Sequence, residues 1–176
     1  EFYGRITLTH LKPVLDALVW LKRETNVWFE LTNLIIPTLN DAPQEIRELS
    51  EWVLANLGPD VPLHFTAFHP DFKLRDKPHT PPETLHRARK IALEAGLHYV
   101  YEGNIHSDAG STYCPACGEK LIERSWHDVR SNKLRDGACS KCGHVVPGRW
   151  TNPRAASPAR RSPARDTGDR YDALNL

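Results

Sequence analysis

An α/β fold followed by a small cysteine-rich module is the fold class that this sequence of 176 residues predicts. Residues 1–107 alternate between segments with helical periodicity and short runs rich in β-branched and aromatic residues. Residues 108–150 hold all four cysteines, as two Cys-x-x-Cys pairs. Helices and strands that alternate at this spacing imply right-handed βαβ crossovers, so residues 1–107 are predicted to form a parallel sheet or a sector of a barrel.

The first helix and the first strand are predicted within residues 13–37. Pro13 suits a first helical position, and apolar residues then recur at helical spacing until about Glu24. Residues 27–37 read VWFELTNLIIP and are rich in β-branched and aromatic side chains. The almost continuous apolar end of this run is typical of a strand covered on both faces, as in a parallel sheet.

The second helix and the second strand follow directly. Asp41 is predicted to cap the helix, Pro43 lies just inside it, and Gly58 ends it. Residues 61–70, VPLHFTAFHP, are predicted to form the second strand, and a loop rich in Pro, Asp and Lys comes after it.

A capping box opens the third helix. Thr80 is predicted to cap it while Glu83 reaches back, and the helix ends at Gly96. Residues 97–104, LHYVYEGN, are predicted to form the third strand. Three strands do not close a barrel, so part of the sheet edge is expected to be unpaired and prone to association.

Polar residues follow each predicted strand, where the chemistry of such folds gathers. Asn40 and Asp41 follow the first strand, His69 the second and Asn104 the third. His69 is the best candidate for ligand binding, because a neutral imidazole offers both a donor and an acceptor. Asp and Asn also serve as helix caps and turn formers, so a purely structural role stays open for all these positions.

The cysteine pairs predict a structural zinc site formed by Cys114, Cys117, Cys139 and Cys142. Each pair is followed by glycine, and the 21 residues between the pairs contain turn residues near their middle, as in the hairpin of a zinc ribbon. Four thiolates leave no open position, so catalysis at this metal is not expected. A rubredoxin-like iron site, or disulfide and redox chemistry, are the alternatives.

Composition limits the other classes of function. A formal net charge of +1 gives no global attraction to nucleic acid or to a lipid surface, and neither is an expected partner. No apolar run approaches the roughly 18 residues of a membrane span, and residues 1–10 do not resemble a signal peptide, which favours a cytoplasmic protein with reduced thiols. Residues 151–176, rich in Pro, Ala, Ser and Arg, are predicted to be a disordered, solvated tail.

Four segments, taken in order, resemble one family. WFELTNLIIPTLND, LGPDVPLHFTAFHPDFK, TPPETLHRARKIALEAGLHYVYEGNI and STYCPACGEKLIER are similar to the carboxyl-terminal half of the radical S-adenosylmethionine enzyme of the AmmeMemoRadiSam system, which is related to the pyruvate formate-lyase activating enzymes. The resemblance runs from about residue 1 to about Trp150. It implies a partial (β/α)6 barrel in which residues 1–107 are the later sector and residues 108–150 are a zinc ribbon.

The resemblance also implies a reaction and its cofactors. In this family three cysteines of a CxxxCxxC loop hold a [4Fe-4S] cluster, which cleaves S-adenosylmethionine to a 5'-deoxyadenosyl radical that activates or modifies a protein or peptide. His69 matches a histidine near S-adenosylmethionine, and Asn40, Asp41 and Asn104 are further candidate contacts. In the loop IIPTLND, Thr38 stands where the family commonly has glycine.

The cluster-binding loop does not occur in this sequence, which has cysteines only in the two pairs. The chain begins with Glu1 and contains no methionine, so we expect it to be a fragment that needs an amino-terminal half, fused or supplied by a partner. Alone, it is expected to be inactive. A non-catalytic zinc-ribbon binding module on an α/β scaffold is the alternative function, and a metal-free chain with redox-sensing cysteines is a third.

Overall fold

The computed structural model describes residues 2–126 and 128–150. These residues form a mixed α/β structure, as predicted, with the four cysteines clustered in a small β module. The predicted tail at 151–176 lies outside the described residues. None of the described helices is long and apolar enough to cross a bilayer.

Three parallel strands form the main sheet, in the order β1-β2-β3. Ile35 pairs with Ala67, and Thr66 pairs with Gly103, so the carboxyl ends of the strands meet at one edge. The helices and strands of this part of the chain are α1 Phe2–Arg5, α2 Leu11–Glu24, β1 Leu31–Ile35, α3 Pro43–Leu57, β2 Leu63–Ala67, α4 Pro82–Glu94 and β3 Val100–Gly103.

The core lies between one face of this sheet and the helices. Leu63, Phe65 and Ala67 alternate along β2 and are buried, whereas His64 and Thr66 point to the other face and are only half-buried. The buried cluster consists of Ile35, Ile46, Val53, Leu57, Val61, Leu63, Phe65, Ala67, Leu85, Ala88, Ile91, Ala92, Leu97 and Val100. Within the described residues, helices therefore cover only one face of the parallel sheet.

The predicted caps of α3 and α4 are wrong. The residue before α3 is Ala42, and the Asp41 carboxylate instead accepts a hydrogen bond from the Thr38 backbone N–H (2.8 Å). Thr38 has a positive φ of 68°, so this bond stabilises a turn that a β-branched residue seldom adopts. Helix α2 also begins two residues earlier than predicted, at Leu11.

Helix α4 begins at Pro82, and the residue that flanks it is Pro81. Thr80 therefore lies one residue too early to cap the helix. Its buried hydroxyl donates to the Ile35 carbonyl (2.6 Å) and accepts from the Phe68 backbone N–H (2.9 Å). These two groups are at the ends of neighbouring strands. Thr80 therefore ties β1 to β2 at the edge where ligand-binding residues were predicted.

We expect Thr80→Val to destabilise the sheet by about 1–3 kcal/mol, because it leaves the Ile35 carbonyl and the Phe68 N–H buried without a partner. Urea unfolding followed by circular dichroism measures this loss. Thr80→Ser retains the hydroxyl and is the control, so the prediction is contradicted if serine is as destabilising as valine.

The outer edge of β3 is covered by other parts of the chain. Arg89 Nε donates to the Val100 carbonyl (3.0 Å), and Gly110 lies against the Glu102 carbonyl. Gly110 belongs to a 3-10 turn, Asp108–Gly110, that leads into the β module. On the opposite side of the sheet, β1 has no further strand beside it in the described part of the chain.

The module after this turn is a set of short antiparallel strands. Strand β5 pairs with β6 as a hairpin in which Ser125 pairs with Asp128, which confirms the predicted hairpin between the cysteine pairs. The strands are β4 Thr112–Tyr113, β5 Lys120–Ser125 and β6 Asp128–Asn132, in the order β4-β5-β6, and β7 Leu134–Arg135 paired with β8 Ala138–Cys139. We call residues 111–146 the ribbon.

Candidate metal centre

The four cysteine sulfurs form a compact group in which all Sγ atoms lie within 4.8 Å of one another. The Sγ atoms of Cys114 and Cys142 are 3.6 Å apart, and those of Cys117 and Cys139 are 3.8 Å apart. Four sulfurs at about 2.3 Å from one tetrahedral ion are separated by about 3.8 Å. A disulfide would need about 2.05 Å. The sulfurs are thus spaced as ligands of a single metal ion such as zinc.

Each cysteine pair sits in the same backbone turn. In the first turn, the Gly118 N–H donates to the Cys114 carbonyl (2.9 Å), and the Cys114 N–H donates to the Glu119 carbonyl (2.8 Å). Gly118 has a φ of +72°, which glycine adopts without strain. The second turn repeats both bonds, from Gly143 N to Cys139 O (2.9 Å) and from Cys139 N to His144 O (2.8 Å). The backbone therefore positions both pairs independently of side-chain contacts.

The pKa values of the cysteine thiols are consistent with a site that binds a cation. Burial opposes ionisation of Cys139, but backbone N–H groups of Cys142 and Lys141 directed at its sulfur lower its pKa to about 7. At Cys142 the His144 N–H favours the thiolate, yet the neighbouring sulfurs of Cys117, Cys114 and Cys139 raise the pKa to about 12. Four adjacent thiolates repel one another, so a bound cation is what allows all of them to ionise.

A small apolar cluster joins the ribbon to the sheet. It includes Tyr99, whose hydroxyl is buried and has no hydrogen-bond partner among the described residues. Burial is the main reason that the pKa of this phenol is raised. The buried members are Tyr99, Cys114, Leu121, Ile122, Cys139 and Val146. The metal ligands are thus packed against the residue that immediately precedes β3.

Three of the predicted ligand-binding residues are used to hold the backbone: Asn40 and Asp41 bond within their own loop, and Asn104 bonds to the end of the neighbouring strand β2. The Asn40 side chain accepts from the Ile36 N–H (2.7 Å) and donates to the Leu34 carbonyl (2.9 Å). Asp41 binds the Thr38 N–H, as described above. Asn104 has a φ of +60° and donates to the Ala67 carbonyl (3.2 Å).

His69 differs from these three, because it is exposed at the end of β2 and meets His79 edge to face, with ring centroids 5.4 Å apart. All four residues follow the carboxyl ends of strands, at the same edge of the sheet. Their predicted contact with S-adenosylmethionine stays a prediction.

A polar network that the sequence analysis did not predict links the helix-free face of the sheet to the ribbon. His64 Nε2 lies 2.7 Å from Glu30 Oε2, and the His64 ring stacks on Tyr101 with centroids 4.9 Å apart. The Tyr101 hydroxyl lies 3.0 Å from the Thr112 hydroxyl, which accepts from Arg124 Nη1 (2.7 Å). Burial raises the pKa of Tyr101. In the sequence, the polar residues at alternate positions of β2, His64 and Thr66, were the signal for this network.

A second buried polar group holds the loop between β3 and the ribbon. The Glu102 side chain is 2% exposed, and its carboxylate lies 2.9 Å from His86 Nδ1 and accepts from the Ser107 hydroxyl (2.7 Å). In a catalytic triad the serine hydroxyl would contact the histidine, and the histidine would contact the acid. Here the Ser107 hydroxyl donates a hydrogen bond directly to the Glu102 carboxylate, so these three residues do not form a triad. They position residues 103–110.

An open groove of about 950 Å³ lies between this face of the sheet and the ribbon. Its lining includes His64 and Tyr101 from the sheet, Arg124 and Arg130 from the ribbon, and the segment 147–150. The polar network therefore forms part of its wall.

None of the known protein-family profiles matches the chain. The chain is 42% identical over 149 residues to an uncharacterised protein of the archaeon Methanocaldococcus jannaschii. That match covers 83% of this chain and 44% of the archaeal protein, so the chain spans less than half the length of this relative.

Proposed function

We propose that this chain is the carboxyl-terminal part of a cytoplasmic radical S-adenosylmethionine enzyme that activates or modifies a protein or peptide. The supporting observation is the one-sided sheet. Parallel sheets normally have both faces covered, yet the described helices cover one face, and the other presents His64, Thr66 and the exposed apolar side chain of Leu34. A sector of a barrel has this arrangement, because its inner face is completed by the remaining strands.

Two further findings support the same proposal. The archaeal relative is more than twice as long as the matched region, which leaves room for the other strands of a barrel. Strand β1 is the open side of the sheet, next to the point where a preceding strand would join it. The resemblance of four sequence segments supplies the family and the chemistry.

The four cysteines fit a structural zinc and not the cluster that the reaction requires. Their sulfurs lie within 4.8 Å of one another, close enough to share a single ion, and two of the cysteines are buried. A [4Fe-4S] cluster that binds S-adenosylmethionine needs a separate set of three cysteines, which the preceding half would provide. In this chain, zinc stabilises a segment too short to fold around its own core.

The residues of this chain would orient S-adenosylmethionine rather than cleave it. His69 is our candidate contact, since its exposed imidazole follows β2 at the carboxyl edge of the sheet. Asn40, Asp41 and Asn104 fix the backbone of the neighbouring loops and would act by shaping the site. The radical chemistry is supplied by the cluster when it is bound.

The test begins with the coding sequence upstream of this chain, where we expect a CxxxCxxC motif in the same reading frame or in a partner. The complete protein, prepared anaerobically, should contain iron, sulfide and zinc, and with a reductant it should release 5'-deoxyadenosine from S-adenosylmethionine. A complete protein without iron and sulfide would contradict the proposal.

A matched pair of variants tests His69 in that complete protein. His69→Ala should raise the KM for S-adenosylmethionine roughly tenfold, as expected for the loss of about 1.4 kcal/mol of binding. His98→Ala, at the opposite edge of the sheet, is the control and should leave KM unchanged. Equal effects of the two variants would remove His69 from the site.

A further inference from the structure

The segment that follows the ribbon, residues 147–150, contacts two different parts of the chain. The Trp150 indole Nε1–H donates to the Val146 carbonyl (2.8 Å), which holds the ring against the ribbon. The Arg149 guanidinium donates to the backbone carbonyl of Asn26, in the connection between α2 and β1. These four residues therefore join the ribbon to the main sheet, and we call them the strap.

Two glycines make room for the Trp150 ring. A Cβ atom at Gly137 would lie 2.6 Å from the ring, and one at Gly148 would lie 2.7 Å from it. Carbon atoms that are not bonded stay farther apart than this, so the ring packs directly on the backbone at both positions. Gly137 is buried and directly precedes β8, the strand that contains the candidate metal ligand Cys139. The ring thus rests beside the second cysteine turn, residues 139–142.

The backbone that carries the Trp150 ring closes around this turn. The Val146 N–H donates to the Gly137 carbonyl (2.8 Å), and the Cys139 N–H donates to the His144 carbonyl (2.8 Å). A segment as short as the ribbon depends on its metal for folding. The seat of the ring should therefore form together with the metal centre.

The strap is also part of the wall of the groove. All four of its residues line the groove between the ribbon and the helix-free face of the sheet. Pro147 and Arg149 line a second, smaller cavity beside the connection between α2 and β1, together with Asn26 and Trp28. Movement of the strap would therefore change the shape of the groove.

We propose that the strap couples the metal centre to the groove: it docks on the connection between α2 and β1 when the second cysteine turn holds its metal, and its contacts weaken when the metal is lost. Metal binding and folding of the ribbon are one equilibrium, and the strap contacts form in the folded ribbon. Each strap contact should therefore raise the metal affinity, and the metal should in turn stabilise the strap, because such coupling is reciprocal. The inference rests on the metal centre and is independent of the radical reaction.

The zinc affinity of the 176-residue chain tests the first direction of the coupling. The reduced, metal-free chain competes for Zn²⁺ with a fluorescent chelator of matched affinity under anaerobic conditions. Arg149→Ala should weaken zinc binding roughly three- to tenfold, the loss expected for one hydrogen bond. Trp150→Ala should weaken it about tenfold or more, because this change removes the ring as well as a hydrogen bond.

Three further variants are the controls. Arg149→Lys retains a donor for the Asn26 carbonyl and should bind zinc as the wild type does. Arg135→Ala on β7 and Trp20→Ala on α2 remove the same types of side chain from exposed positions and should also leave the affinity unchanged. Circular dichroism of the zinc-loaded proteins verifies that each variant is folded. Wild-type affinity in Arg149→Ala or Trp150→Ala, equal losses in the control variants, or a wild-type chain that binds no zinc would each overturn the proposal.

The reverse direction is measured by ¹⁹F NMR of the chain labelled with 5-fluorotryptophan, with resonances assigned from single substitutions by phenylalanine. Removal of zinc should shift the resonances of Trp150 and of Trp28, which shares the smaller cavity with Arg149. The resonance of Trp52, which packs against the main core from α3, is the internal reference and should not move. Arg149→Ala should shift the Trp28 resonance even with zinc bound. A Trp28 resonance that responds to neither change would overturn the coupling.

Discussion

Cys117→Ser is expected to release the bound metal and unfold the ribbon, residues 111–146, while α3 and α4 stay folded. The metal joins two turns that are about 25 residues apart, and the free energy of binding to a structural zinc site, about 10–16 kcal/mol, is also folding free energy. Cys139→Ser should behave in the same way. The large helical core does not include the ribbon, so loss of the metal should leave it intact.

Elemental analysis and limited proteolysis measure this outcome. We expect one zinc and no iron per wild-type chain, no bound metal in either cysteine variant, and new cleavage sites confined to the ribbon. Ser140→Ala lies between the ligands of the second turn and is the control that should retain the metal. Unchanged metal content in both cysteine variants would contradict the site, and iron with sulfide in the wild type would replace zinc by a cluster.

Phe65→Ala should cost about 3–5 kcal/mol of the free energy of unfolding, the range measured for truncation of buried phenylalanine. Phe65 is fully buried at the centre of β2, between the sheet and the helices. Removal of the ring leaves a cavity in the only large core of the described structure. Since domains are stable by about 5–15 kcal/mol, this single change removes a large share of the total.

Phe72→Ala provides the matched control, because Phe72 is 78% exposed in the loop after β2. The same truncation there should change stability by no more than about 0.5 kcal/mol. Urea unfolding followed at 222 nm, with saturating metal so that the ribbon stays folded, measures both variants. Similar losses in the two would show that β2 does not lie in the core.

The sequence predicted the element order because its periodicity is strong. Helical spacing and the runs of β-branched residues gave three helices and three strands, and glycine after each cysteine pair indicated the two turns. The boundaries were less accurate. Residues 27–30 were predicted as strand, but β1 begins at Leu31, since propensity does not show where pairing with β2 starts.

The cap of α4 was wrong for a reason that local sequence does not contain. Thr80 occupies a cap-like position, yet its hydroxyl is used by a tertiary hydrogen bond to the Ile35 carbonyl. Asp41, by contrast, closes a local turn by accepting a hydrogen bond from the Thr38 backbone N–H. The groove was missed for the same kind of reason as the cap of α4. Tyr101 and Arg124 are 23 positions apart, and only the folded chain places the guanidinium 5.8 Å from the ring.

The two edges of the main sheet are unequal, and this limits how isolated chains can aggregate. Arg89 and the 3-10 turn block β3, whereas β1 remains available in the described structure. A sheet that can pair with another copy along only one of its two edges cannot propagate a fibril. Self-association through the sheet should therefore stop at a two-fold pair of chains joined through β1, and the same contact should disappear when a preceding strand is fused there.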